Sequence, residues 1–332
     1  MGTFSEAGAM VSLCVVAMVV LATIGAEAQP PRTDFYDKSC PQIFSIVKAG
    51  VKSAVKIEKR MAASIVRLHF HDCFVNGCDG SVLLDDSPTI DGEKLAFGNV
   101  NSARGFDVID SIKATLEKAC PMTVSCADLL ALASRDAAVE VGLTENFPVF
   151  FGRRDSLTAS RAEANLRLPS PRLNYEELKG NFAFWGMNEV DLIALSGAHT
   201  FGRVRCGVVR LFLDDTDTNA NFRKKLAKVC PANVNPLALN NFDNKTPDQF
   251  DNAYYKNLQR GESVLRSDQT LWSSPGPNQA IVRDFALNQG NFFRQYALSS
   301  VKMANLKPLT GRQGEVRRNC RFPNSAPAIA FE

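Results

Sequence analysis

The amino-acid sequence predicts a mainly α-helical protein arranged in two lobes. Three observations carry that prediction. Apolar residues recur at helical spacing in several segments, among them Ile46, Val47, Val51 and Val55. Strand-like alternation is sparse, and no internal repeat, low-complexity tract or P-loop interrupts the chain. Removing an expected leader of 28 residues from 332 leaves 304, enough for one large domain or two lobes with a sizeable core.

Residues 1–28 read as a secretory signal. Met10 to Gly25 is almost wholly apolar and uncharged, and Ala26-Glu27-Ala28 follows as a small-x-small cleavage pattern. The run falls somewhat short of the ~20 apolar residues of a spanning helix. Its n-region is atypical in having no Lys or Arg. The leader holds two acids, so 38 basic and 33 acidic residues remain, a net +5. This charge is spread out; it allows a mild preference for an anionic cell wall and gives no sign of nucleic-acid binding.

Nine cysteines agree with export. Cys14 lies in the leader, and the other eight are Cys40, Cys73, Cys78, Cys120, Cys126, Cys206, Cys230 and Cys320. An even count in an exported chain implies disulfides. Eight cysteines allow on the order of a hundred pairings, so spacing alone does not choose among them. No CxxC pair recurs, which weighs against structural zinc.

Taken in order, Ile43 to Val66 reads as two helices, the second running into Arg67-Leu68-His69-Phe70-His71-Asp72-Cys73. Arg67 and His71 stand four residues apart and share a helix face. A permanent cation beside a group that exchanges protons near neutral pH suits breaking a bond whose electrons move toward one oxygen. Asp72 to Ser81 follows, with two carboxylates, a hydroxyl and two glycines. That is either an oxygen-rich calcium loop, with backbone carbonyls at Val75 and Gly77, or a polar turn stapled by Cys73 and Cys78. Glu93 and Asn99 lie in a loop of mixed polarity.

Gly105 to Leu116 and Ser125 to Val139 read as amphipathic helices, with Asp128 and Arg153 a candidate buried ion pair. Pro148 to Ser170 reads as loop, ending in the extended run Leu168-Pro169-Ser170-Pro171. Asn188 caps a further helix, which closes at Leu195-Ser196-Gly197-Ala198-His199-Thr200. Gly197 and Gly202 flank His199, and no anchor for this helix end other than Thr200 is visible in the sequence. Asp243 to Asp251 forms a second oxygen-rich loop and holds the only Asn-x-Ser/Thr sequon outside the leader, at Asn244. Ser267-Asp268-Gln269 and a helix from Gln279 to Leu287 complete the pattern before Cys320.

From about residue 32 to about residue 322 the chain resembles the secreted plant haem peroxidases of class III. The motifs that carry the resemblance occur in order: Arg67-Leu-His-Phe-His71-Asp-Cys-Phe-Val-Asn-Gly-Cys78-Asp79, Asn101-Ser-Ala-Arg-Gly-Phe106, Val124-Ser-Cys-Ala-Asp128, Gly152-Arg-Arg-Asp155, Leu195-Ser-Gly-Ala-His-Thr-Phe-Gly202 and Ser267-Asp-Gln269. The resemblance implies a two-lobed helical fold with one haem b held between a distal and a proximal domain. The distal lobe would cover about 29–170 and the proximal about 171–310, with the C-terminal segment returning to the distal lobe.

The implied activity is reduction of hydrogen peroxide with one-electron oxidation of small phenolic donors. His71 would be the distal acid–base, Arg67 would stabilise charge as the O–O bond breaks, and Asn99, backed by Glu93, would fix the His71 tautomer. His199 would be the axial iron ligand and Asp268 its hydrogen-bond acceptor. Phe70 would close the iron to bulky donors, and Pro169 would form part of the substrate rim.

Two calcium ions are implied, one at Asp72, Val75, Gly77, Asp79 and Ser81, the other at Thr200, Asp243, Thr246, Gln249 and Asp251. The implied disulfides are Cys40–Cys120, Cys73–Cys78, Cys126–Cys320 and Cys206–Cys230. A secreted monomer is expected, in cell wall or vacuole, bound to neither membrane nor nucleic acid. His69 carries no role in this chemistry. A zinc hydrolase built on His69, His71 and Asp72 lacks a further convergent ligand, and a haem catalase would use a Tyr ligand.

Overall fold

The computed structural model describes residues 30–325; the expected leader and its cleavage point lie outside them. Helix α1 (Ile43–Ile57) buries Ile43, Val47, Val51 and Val55, one residue per turn along a single stripe. Helices α2 (Met61–Cys73), α3 (Phe106–Ala119) and α4 (Cys126–Glu140) complete a first packed set. Both α1 and α2 lean on α4, and α3 lies across α1. Helix α4 is capped by the Ser125 hydroxyl and buries Leu129, Leu130, Leu132, Ala133 and Ala137, residues from all sides of the helix. A helix apolar all round belongs in the middle of a core, and α4 sits there. Close packing of α1 on α3 needs Gly50, since a methyl there would run into Ile112.

Helix α5 (Arg161–Arg167) packs back on the first set, its Ala164 against Val75 and Ala96. A second set follows: α6 (Tyr175–Phe184), α7 (Glu189–Ser196), α8 (Cys206–Val209), α9 (Ala220–Val229), α10 (Ala253–Gln259), α11 (Arg266–Ser273), α12 (Asn278–Leu287) and α13 (Gln289–Ala304). Here α7 packs on α13, and α12 bridges α10, α11 and α13. Aromatic rings fill this core: Phe250 stacks on Phe292 at 5.5 Å and meets Tyr296 edge-on at 4.7 Å. Strands β1 (Arg203–Arg205) and β2 (Leu239–Asn241) pair antiparallel, with Val204 opposite Asn240. They cover a smaller core of Val204, Val209, Phe222, Leu226 and Val264, stapled by Cys206–Cys230.

All four disulfides implied by the family resemblance are present: Cys40–Cys120, Cys73–Cys78, Cys126–Cys320 and Cys206–Cys230. After α13 the chain returns to the first set. Arg317 donates its backbone N–H to Asp155 (2.8 Å) and its guanidinium to the Cys320 carbonyl (2.7 Å), while Arg154 N–H reaches the Leu309 carbonyl (2.8 Å).

The structure differs from the sequence reading in two respects. The expected loop from Pro148 to Ser170 contains α5, whose first turn is capped by the Ser160 hydroxyl accepting from the Glu163 N–H. The Ser-x-x-Glu spacing was a local start signal, outweighed by the surrounding prolines and polar residues. Helices α6, α8, α9, α10, α11 and α13 were also not foreseen. The first of them carries a full capping box between Asn174 and Glu177.

Asp128 and Arg153, both without solvent exposure, pair at 2.8 Å. Asp128 also accepts from Tyr36 Oη (2.8 Å) and the Gly152 N–H (2.7 Å), and Arg153 Nε donates to the Ala304 carbonyl (2.8 Å). Burial pushes the Asp128 carboxyl up, and Arg153 chiefly opposes it. The pair therefore joins the N-terminal segment, α4 and the end of α13. Asp128→Ala strands a buried guanidinium and should cost ~3–5 kcal/mol of stability in denaturant titration. His69 is buried, its Nε2 has no partner, and burial pushes its pKa from 6.5 down to about 3. The unfolded chain then binds a proton that the folded one refuses, so stability falls as pH drops from 6.5 toward about 3. His69→Leu should flatten that part of a melting-temperature profile relative to wild type.

Candidate active site

The last turns of α2 present Arg67, Phe70 and His71 together, as their spacing requires. Arg67 Nε donates to His71 Nε2 at 3.2 Å, and its other nitrogens donate to Ser102 Oγ (2.8 Å) and the Gly98 carbonyl (2.6 Å). His71 Nδ1 hydrogen-bonds Asn99 Oδ1, while Asn99 Nδ2 donates to the Glu93 carbonyl at 2.9 Å. That second bond orients the amide so that its oxygen accepts from Nδ1–H, which leaves Nε2 as the unprotonated nitrogen, here accepting from Arg67 Nε–H. Burial, then the neighbouring Arg67 charge, hold the His71 pKa well below its usual value, so the imidazole is neutral. Burial and Arg205 push Arg67 down to about 10, and it stays charged at neutral pH.

The space over His71 depends on a missing side chain. A methyl at Gly98 would lie 3.3 Å from Leu168 Cδ1 and 3.8 Å from His71 Cε1. Leu168 thus lies close to the imidazole beside Gly98, and Pro169 follows it in an extended segment. Phe70 stacks on Phe74 at 4.2 Å and is only half-buried.

Across from this face, α7 begins with a capping box between Asn188 and Asp191 and runs into a tight turn, Gly197–Thr200. His199 projects from that turn. Its Nδ1 meets Asp268 Oδ1 at 2.9 Å, and its ring lies parallel to Phe242 at 4.3 Å. The side chain is 37% exposed, although Asp268 behind it is buried. His199 is also the weakest of the influences on the His71 pKa, after burial, Arg67 and Asn99, so the two imidazoles lie near one another.

This turn is not the loosely held end that the sequence suggested. Tyr255 Oη donates to the Ile193 carbonyl (2.9 Å), and the Gly202 N–H donates to the Pro247 carbonyl (3.1 Å). Gly197 has no room for a side chain, because a Cβ would strike Tyr255 Oη and Phe292.

Two oxygen clusters flank the site. In the first, Asp72, Asp79, Ser81 and Glu93 are all buried. Asp72 accepts from the Gly80 N–H (3.0 Å) and Asp79 from the Ser81 N–H (3.0 Å). The Ser81 hydroxyl and both Glu93 carboxyl oxygens have no hydrogen-bond partner. Burial pushes Glu93 up to about 8, and burial with Asp79 pushes Asp72 well up. Three buried carboxylates, with the Glu93 oxygens and the Ser81 hydroxyl unpartnered, could hold a hard cation. Val75 and Gly77 lie in the same loop. Gly77 has φ +118°, and an added Cβ would meet the Lys307 carbonyl oxygen at 2.7 Å.

In the second cluster Thr200 Oγ1 donates to Asp251 (2.7 Å) and Thr246 Oγ1 to Asp243 (2.7 Å). Gln249 is exposed, and its N–H donates to the Thr246 carbonyl at 3.1 Å. His69 lies near Cys73 and Cys78 in a metal-like grouping, but the two sulfurs are bonded to each other.

Gly98, Ser102, Leu168, Phe242 and Tyr254 join the site without having been foreseen. The Phe97-Gly98-Asn99 run was a weak pointer to the first; the others reach the site by packing from distant parts of the chain.

Comparison with known proteins agrees with this geometry. The peroxidase family model matches residues 47–288. Peroxidase 37 of Arabidopsis thaliana and Peroxidase C2 of Armoracia rusticana are each 48% identical over 306 residues, covering 89% of this chain and 88% of theirs. Peroxidase 70 of Zea mays is 46% identical over 330 residues, covering 97% and 99%. With an arginine–histidine pair, a carboxylate-backed histidine and relatives of this similarity along most of its length, the chain belongs to the plant class III haem peroxidases.

Proposed function

We propose that this peroxidase, an oxidoreductase acting on hydrogen peroxide, oxidises small phenolic donors with His71, Arg67 and Asn99 as its proton-handling group. The observation that carries this reading is the chain of bonds from Glu93 through Asn99 to His71, with Arg67 Nε at 3.2 Å.

Haem is implied by the family, and the residues present fit it. His199 has Nδ1 committed to Asp268, so Nε2 presents a lone pair toward the shared space. Arg205 acts on Arg67, so a second cation lies near the distal arginine, a charge that suits the carboxylates of a haem. When bound, haem iron supplies a site for peroxide and a store for its oxidising equivalents.

The protein's own part is proton transfer and charge dispersal. His71 Nε2 takes a proton from one peroxide oxygen and delivers it to the other as the bond between them breaks. Asn99 keeps Nδ1–H in place throughout, and Arg67 disperses the charge that collects on the departing oxygen. One peroxide and two phenols give two waters and two phenoxyl radicals. Leu168 and Pro169 border the approach for the donor, and Phe70 limits its depth.

Calcium in both oxygen clusters is part of the same reading, supported by the buried carboxylates around Asp72 and by the paired Asp–Thr bonds around Asp243. Secretion is supported by the leader-like residues 1–28 and the four disulfides. Among the described residues no helix is long and apolar enough to cross a membrane. We take the mature protein to be a monomer.

His71→Leu should slow the reaction with hydrogen peroxide by ~10²–10⁴-fold while haem stays bound, and Arg67→Leu should slow it less. Stopped-flow absorbance of the haem measures both, and an unchanged rate in His71→Leu would overturn the assignment. Calcium loss at the second cluster should reach His199 by two routes, through Thr200 and through the Gly202–Pro247 backbone bond. Chelation, or Asp243→Ala with Asp251→Ala, should change the haem visible spectrum and lower activity before far-UV circular dichroism reports unfolding.

A further inference from the structure

Tyr254 is not used by the reading above. It lies on α10 and is buried, while Asp268 lies on α11 and His199 on the turn after α7. Tyr254 Oη donates to Asp268 Oδ1 at 3.0 Å. His199 Nδ1 meets that same oxygen at 2.9 Å. Two donors from separate elements thus converge on one carboxylate oxygen, and among the described residues no other hydrogen bond reaches the Asp268 side chain. A phenylalanine would fill the same ring position, which meets Tyr255 edge-on at 5.0 Å. The phenol hydroxyl therefore serves the carboxylate rather than the packing.

We propose that Tyr254 is a positioning residue that sets how strongly Asp268 draws on the Nδ1 proton of His199, and so tunes the potential of the iron. The inference rests on His199 being the axial ligand. A hydrogen bond to a carboxylate stabilises its charge and makes that oxygen a weaker acceptor for anything else. With Tyr254 in place, Asp268 pulls less on the imidazole proton than a free carboxylate would. The imidazole keeps more neutral character and donates less charge to the metal. Without the hydroxyl, Asp268 pulls harder, the imidazole becomes more anionic, and the oxidised iron is favoured.

The test uses the haem-loaded, calcium-loaded full-length mature protein. Tyr254→Phe should shift the Fe(III)/Fe(II) midpoint potential to a more negative value and raise the iron–histidine stretching frequency of the reduced protein in resonance Raman spectra. Tyr175→Phe, which removes a buried hydroxyl that has no hydrogen-bond partner and leaves Asp268 untouched, should move neither. Where Tyr254→Phe fails to fold, 3-fluorotyrosine placed at position 254 donates more strongly and should shift the potential the opposite way. A potential and a stretching frequency unmoved by either change, or moved in the reverse sense, would overturn the proposal alone. Loss of the iron–histidine band must follow from His199→Ala; if that band survives, the axial assignment falls and this inference with it.

Discussion

Both site imidazoles obey one constraint: Nδ1 is committed to an oxygen acceptor. Asn99 holds His71 in this way, and Asp268 holds His199. A neutral imidazole with a committed Nδ1–H has its remaining lone pair at Nε2, aimed where chemistry is wanted. Everything nearby serves to keep those acceptors in place. Asn99 is oriented by the Glu93 carbonyl, and Asp268 is gripped by a phenol from another helix. The two acceptors differ in kind. A neutral amide leaves His71 free to gain and lose a proton, whereas a carboxylate gives His199 anionic character suited to holding a metal.

Buried charge organises the scaffold around this pair. Asp128 and Arg153 sit at the junction of the N-terminal segment, α4 and the end of α13, where each fully buried group finds several partners. Asp155 plays a similar part for the C-terminal return, accepting from Cys126, Ala127 and Arg317 backbone N–H groups. The loop around Asp72, Asp79 and Glu93 is the contrasting case. Its carboxylates are also buried, Glu93 has both oxygens unpartnered, and the Asp72 and Glu93 pKa values are driven up, the condition a bound cation relieves. Because the Glu93 carbonyl orients Asn99, that loop and the His71 tautomer are mechanically one unit.

Much of this was legible in the sequence because it is local. The stripe of α1, the Arg67–His71 spacing, the Asn188 cap and the oxygen-rich runs at 72–81 and 243–251 are short-range patterns, and each took the form that its spacing dictated. Helix α5 was missed where a correct capping signal lay among residues that favour loops. Helices α6, α8 to α11 and α13 were missed because their apolar faces are set by which neighbour they pack on, a matter that periodicity in a short segment does not resolve.

The sequence by itself therefore determined the helical class, which two histidines enter the proposed site, the acids of both oxygen clusters and, through family motifs, the four cysteine pairs. The tertiary structure decided what those groups can do. Leu168 and Gly98 shape the space at His71, Arg205 acts on Arg67 from β1, and Tyr254 reaches Asp268 from a separate helix. The physical reason is distance along the chain. Residue type and spacing specify what a side chain can donate or accept, but a hydrogen bond between partners on separate elements exists only once the core has closed and brought them within 3 Å or so.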